Sequence, residues 1–147
     1  RILDYDRIEV LGRDGQSLAD TMGADQRAHK GICVPGFPNY FFAVGPNGLV
    51  LNVSYFVTVE RNVQTIVGLL KQLQANGAQS LEVTREAFED YNAWMNGRFG
   101  RFSWGSSATC SSYYINASGH PPFLFPGTFK EYRKLHDAIS LTEFSLV

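Results

Sequence analysis

Val34-Pro35-Gly36-Phe37-Pro38-Asn39-Tyr40-Phe41-Phe42-Ala43-Val44-Gly45-Pro46-Asn47 is the stretch whose reading decides the fold. Pro35, Gly36 and Pro38 exclude a regular element before Asn39, because proline lacks a backbone donor and glycine leaves the chain unrestrained. Tyr40 to Val44 is then a continuous apolar run, the pattern of a buried strand in a parallel sheet. Gly45-Pro46-Asn47-Gly48 ends it as a tight turn. From about Val57 the apolar period becomes helical: Val59, Val63, Ile66, Val67, Leu70 and Leu73 share a face, with Glu60, Arg61, Gln64, Lys71 and Gln72 off it. Asn76-Gly77 supplies the stop. Strand, glycine turn and amphipathic helix in that order predict half of a β-α-β unit, and hence an α/β fold.

Working outward, Arg7 to Leu11 alternates charged and apolar residues and runs into Arg13-Asp14-Gly15-Gln16, which predicts a strand and a turn, with Ser17 capping a short helical turn. Downstream, Thr84 is a fair N-cap, and Ala87, Phe88, Tyr91, Trp94 and Met95 form the apolar stripe of a second helix closed by Gly97 and Gly100. Ser103 to Pro126 reads as a long ordered loop with one short hairpin, Ser111 to Ile115 being its best strand. Phe129, Tyr132, Leu135, His136 and Ile139 have helical spacing after Thr128, and Glu143 to Val147 is extended. With no repeat or linker, residues 1–147 form a single unit.

Composition narrows the function classes. A chain of 147 residues with net charge -1 has no broad positive field for nucleic acid or an anionic membrane. No apolar run approaches the roughly 20 residues that span a bilayer, and the first residues show no charged-then-apolar leader. Cys33 and Cys110 stand too far apart for a C-x-x-C site, so reduced thiols and a cytoplasmic location are expected. Asn52-Val53-Ser54 and Asn116-Ala117-Ser118 match the glycosylation tripeptide, a pattern common by chance.

Other chemistries find little support. His29 and Cys33 have i,i+4 spacing, but Gly31 and Pro35 argue against a helix there, and two ligands do not close a zinc site, so no metal is expected. His120 lies in a loop, and His136-Asp137 reads as part of a surface helix. Gly105-Ser106-Ser107 does not supply the G-x-S-x-G of a hydrolase. Gly97-Arg98-Phe99-Gly100-Arg101-Phe102-Ser103-Trp104 mixes arginine with aromatics, yet without a basic excess elsewhere a packed helix end outweighs RNA binding.

The opening stretch resembles the P-G-F-P-N-x-F-F-x-x-G-P-N signature of Baeyer–Villiger and related flavin monooxygenases. Cys110-Ser111-Ser112-Tyr113-Tyr114-Ile115-Asn116 with Gly119, then Phe125-Pro126-Gly127 and Tyr132, is similar to the family's C-S-x-W/Y-Y-x-N-x-x-G and W-P-G pattern. Arg7 to Gly15 looks like the stretch after the family's A-T-G-F motif. The resemblance implies the C-terminal part of an FAD-binding flavoprotein with two dinucleotide-binding domains: one or two parallel strands, amphipathic helices and a C-terminal hairpin that wraps the unit. It also implies that Gly45, Pro46 and Asn47, and the backbone of Asn52, Val53 and Ser54, lie at the flavin edge. There a helix N-terminus offers about half a positive charge to the electron-rich rim of a reduced ring. Leu49, Val50 and Leu51 would line the substrate pocket, although many members carry smaller or polar residues there.

The expected activity is FAD- and NADPH-dependent insertion of one oxygen atom from O2 into a ketone or other hydrophobic carbonyl compound. The chain has no G-x-G-x-x-G to cradle a pyrophosphate and none of the family's catalytic positions, so it is expected to be inactive alone, without catalytic residues of its own. Its partners would be the missing N-terminal part of the same enzyme and a hydrophobic small molecule, with self-association through the exposed edge of the Tyr40–Val44 strand. The alternative is a non-catalytic binding or interaction module derived from such a flavoprotein.

Overall fold

In the computed structural model, residues 5, 7–23, 26–101 and 121–147 are described. The expected strand at Ser111–Ile115, the Cys110 motif, His120 and the Asn116 tripeptide fall outside them. Helix α1 is Leu18–Met22, started by Ser17. Helix α2 is Tyr55–Ala75, and α3 is Arg85–Asn96, where the Thr84 hydroxyl accepts from the Ala87 N–H. Helix α4 is Phe129–Asp137, held at its start by a reciprocal pair between Thr128 and Glu131. Strand β1 (Leu81–Val83) pairs antiparallel with β2 (Phe144–Leu146), Glu82 facing Ser145.

Tyr40–Val44 is not a strand. Pro38 and the left-handed Asn39 turn the chain into the run, and Asn39 docks on the edge of β1: its N–H donates to the Leu81 carbonyl, and its side-chain oxygen accepts from the Leu81 N–H. Within the run the backbone bonds reach single acceptors: Phe42 N–H donates to Ile32 and, just beyond, Gly45 N–H donates to Gly31. No ladder repeats, and Ala43 is exposed while Phe42 is buried. Arg7–Leu11 likewise makes one isolated bridge, Leu11 to Ser17, and no strand. Among the described residues the expected parallel pairing is reduced to a single bridge, Leu49 to Leu124.

The main core gathers Leu18, Ile32, Val34, Phe37, Phe42, Leu69, Leu73, Leu81, Phe88 and Phe144 around β1 and the C-terminal half of α2. A second small core, Val50, Phe125 and Tyr132 flanked by Val53, Phe129 and Leu135, sits under the N-terminal half of α2. Helix α2 faces inward through Thr58, Asn62, Thr65, Leu69 and Leu73; of the expected apolar stripe only Leu73 is buried and Ile66 packs partly buried against the core, while Val63, Val67 and Leu70 are exposed. The buried face is rotated by about 90° from the apolar one, counting 3.6 residues per turn.

Candidate functional site

The Gly45–Gly48 turn closes by a Gly48 N–H to Gly45 carbonyl bond, with Pro46 and then the left-handed Asn47 at its centre, a type II turn. Asn47 is almost fully buried, and its side-chain amide donates to the carbonyls of Pro121 (2.8 Å) and Leu124 (2.9 Å). Its own N–H donates to Pro122. Three bonds from one residue therefore bolt the turn to the 121–125 segment. Gly45 and Gly48 serve close approach, and what they approach is the chain itself: a Cβ on Gly45 would lie 2.7 Å from the Phe42 ring and 2.9 Å from the Gly31 carbonyl.

Leu49 continues the clamp, donating to Phe123 and accepting from Phe125. Val50 is fully enclosed against Phe125 and Tyr132, whereas Leu51 is half exposed. Asn52 accepts from the Phe129 N–H (2.9 Å), so it ties the loop to the start of α4. Val53 packs on the second core. Ser54 is the N-cap of α2 but makes no side-chain cap bond, and the first turn carries no acidic residue. Among the described residues the head of α2 thus presents the positive end of the helix dipole without a side-chain cap from Ser54. The structure brings Asn47, Leu49, Asn52 and Ser54 onto one continuous clamp at the head of α2, while Val50 serves its base. A groove of about 370 Å³ lined by Arg13, Gln16, Gly36, Glu82 and Arg85 involves none of these residues.

Sequence reasoning missed the polar junction behind this clamp. The Asn62 amide donates to the Ala43 carbonyl (2.8 Å), which leaves its oxygen to accept from Tyr132 Oη–H (2.8 Å). His136 Nε2 lies 3.1 Å from the Lys30 carbonyl, which can only accept, so Nε2 carries the proton and Nδ1 accepts from Thr65 Oγ1 (2.9 Å). The sequence places His136 on a surface helix, whereas it is buried, because α4 turns that face onto α2. Burial, and then the nearby Arg61 charge, hold its imidazole neutral, with the pKa down to about 3. Beside it, Glu143 accepts from Lys30 Nζ (2.6 Å) and lies 2.8 Å from His29 Nε2. Burial pushes the Glu143 carboxyl up, but hydrogen bonds from His29, Lys30 and the Ser140 N–H outweigh it and hold it at about 2. The signal that pointed to this junction was the polar spacing Thr58, Asn62, Thr65 at i, i+4, i+7. His29 and Cys33 lie in a turn in which the His29 N–H donates to the Cys33 carbonyl, and burial pushes the Cys33 thiol well up.

The unit so defined is a small α/β domain with little sheet, organised around a clamped turn and the uncapped head of a long helix. No family model matches the chain. It is similar to a Baeyer–Villiger monooxygenase of Streptomyces coelicolor, 30% identical over 139 residues, which cover 94% of this chain and 27% of the relative. A Baeyer–Villiger monooxygenase of Pseudomonas aeruginosa is 34% identical over 127 residues, 86% of this chain and 24% of that one. Among solved structures, oxidised steroid monooxygenase bound to NADP matches with a TM-score of 0.83 and 28% identity over 97% of this chain and 27% of that chain. Closed cyclohexanone monooxygenase shares the fold with the same TM-score at 24% identity. The chain is homologous to the Baeyer–Villiger, type-I flavin monooxygenases, and it spans about a quarter of the length of the relatives it matches. Among the described residues no helix is long and apolar enough to cross a membrane.

Proposed function

We propose that this chain is one segment of an FAD- and NADPH-dependent monooxygenase that inserts an oxygen atom from O2 into a ketone or other hydrophobic carbonyl compound. Within it, the clamp from Gly45 to Ser54 forms one edge of the flavin site. The observation that carries this reading is similarity along 94% of the chain to a named Baeyer–Villiger monooxygenase, with the Pro-Gly-Phe-Pro-Asn and Gly-Pro-Asn elements inside the matched fold.

The residues present fit a flavin edge and not a whole cofactor site. Among the described residues the head of α2 has donors and dipole without a side-chain cap from Ser54, the chemistry suited to an electron-rich rim, and its position is set by hydrogen bonds through Asn47, Asn52 and Asn62, the first of them buried. FAD, when bound, supplies the redox chemistry, and NADPH the electrons. The part of this chain is to bind and orient: Gly45, Pro46 and Asn47 fix the turn, the backbone of Asn52, Val53 and Ser54 offers donors, and Leu49 and Leu51 give the loop an apolar flank. Val50 acts from beneath, as packing for that flank. Without glycine-rich phosphate loops, the segment alone binds neither cofactor, because one rim of a flavin is too little surface.

The test is to produce the polypeptide at the length of its relatives and the 147-residue chain side by side. The longer protein should keep flavin absorbance through gel filtration and consume NADPH with O2 uptake that a cyclic or aryl ketone stimulates; the short chain should do neither. A colourless long protein that leaves NADPH untouched would overturn the proposal.

A further inference from the structure

The turn at Gly45 rests on a second turn whose first central residue is a lysine in a conformation that lysine disfavours. The Ile32 N–H donates to the His29 carbonyl (3.0 Å), and the two residues between them, Lys30 (φ 49°) and Gly31 (φ 73°), are both left-handed, the pattern of a type I′ turn. Among the described residues three non-glycine positions are left-handed. Asparagine suits two of them, Asn39 and Asn47, whereas a lysine pays a backbone cost that Asn-Gly would avoid. Lys30 is also buried, at 7% exposure. A strained, buried and charged residue persists only where its surroundings over-determine it.

The surroundings do so through three successive carbonyls. That of Lys30 accepts from His136 Nε2 (3.1 Å) and lies 3.2 Å from Tyr132 Oη, which ties the turn to α4. That of Gly31 accepts from the Gly45 N–H (2.8 Å), and a Cβ on Gly31 would come within 2.5 Å of the Gly48 Cα, so both ends of the Gly45–Gly48 turn sit against it. That of Ile32 accepts from the Phe42 N–H. The far end of Lys30 is fixed as well. Its ammonium donates to both Glu143 oxygens (2.9 and 2.6 Å), and Glu143 accepts in turn from the Ser140 N–H (2.8 Å) ahead of β2.

We infer that Lys30 is a positioning residue for the flavin edge: its bond to Glu143 sets where the 29–32 turn stands, and with it the Gly45–Gly48 turn and the head of α2. An asparagine would fit the left-handed position better but is too short to keep this bond, so the tether, and not the turn, accounts for the lysine. The C-terminal segment thereby acts on the flavin edge without touching it. This inference rests on the proposed function for the identity of the ligand; the coupling of Lys30 to the Gly45 turn stands on the bonds within the chain.

The experiment uses the long protein with two substitutions made separately. Lys30→Asn keeps a residue suited to the left-handed turn and removes the tether; Glu143→Gln keeps the shape of the acceptor and removes its charge, and it covers the case in which Lys30→Asn does not fold. Two readouts are taken. In the flavin-stripped protein the Gly45 amide should exchange about tenfold faster in either variant, while the Leu69 amide in the main core keeps its rate, the sign of local opening at the turn. In the loaded protein, donors that no longer face the rim should weaken binding of reduced flavin relative to oxidised by about tenfold, which lowers the midpoint potential by about 30 mV for a two-electron couple. A lower melting temperature with both readouts unchanged would overturn the inference, because the pair would then only fasten the C-terminal segment. A shifted potential with unchanged Gly45 exchange would overturn it too, since the effect would not travel through the turn. A long protein that takes up no flavin would remove the proposed function, and the Gly45 arm would still decide whether Lys30 holds the turn.

Discussion

The two halves of α2 solve different problems. From Leu69 to Leu73 the inner face is aliphatic and joins the main core with Leu81, Phe88 and Phe144; from Thr58 to Thr65 it is polar, and Asn62 and Thr65 join a network of directed bonds. The aliphatic half supplies stability through burial, which is non-directional. The polar half supplies orientation, because each bond permits one geometry. The chain thus places adaptable packing far from the helix head and directed bonding next to it.

Breaking the aliphatic half should give the largest effect. Leu69→Ala removes a fully buried side chain and should lower unfolding stability by roughly 2–5 kcal/mol, measured by urea denaturation with little change in slope. A loss under 1 kcal/mol would mean that this half is not the stabilising one.

The polar half should reveal itself through pH. The folded His136 pKa is depressed to about 3 from 6.5, so the unfolded chain binds more protons, and the stability His136 confers is present above pH 6.5 and lost as pH falls below it. Between pH 6.5 and 4.5 the loss should be on the order of 2 kcal/mol at 1.4 kcal/mol per pH unit. Below 4.5 Glu143 adds to it, because its folded pKa of about 2 lies under the ordinary 4.5. His136→Gln should flatten the profile between pH 6.5 and 4.5 and reduce the slope below 4.5 to the part that Glu143 supplies. Identical pH profiles for the two proteins would remove His136 from the junction.

The smallest effect sharpens the contrast within the polar half. The Thr58 hydroxyl is buried with no hydrogen-bond partner among the described residues. Thr58→Val should therefore be neutral or stabilise by up to about 1 kcal/mol in thermal melts, whereas removing a paired group costs stability. A destabilisation comparable to that of Leu69→Ala would show that Thr58 holds a bond after all.

What was legible in the sequence follows the same division. Caps and stops are local: Ser17, Thr84, Thr128 and Gly77 act where their residue types predict. The Tyr40–Val44 run misled because strand formation needs a neighbouring ladder, which a local pattern does not contain; here the backbone bonds go to Gly31, Ile32 and Phe37. The face of α2 misled for a related reason. Apolar periodicity reports where a helix is covered in its complete protein, and this helix has a polar face covered within the chain and an apolar one that is not. The Gly45–Asn47 turn was legible as a turn, but its clamp through Pro121 and Leu124 depends on residues more than seventy positions away.

The measurement that bears most directly on the account is amide hydrogen exchange at Val53 to Phe56 in the long protein, with FAD bound and after it is stripped. The account predicts that these N–H groups exchange freely in the stripped protein and slow markedly when FAD returns. Exchange that stays unchanged while flavin binds would contradict it.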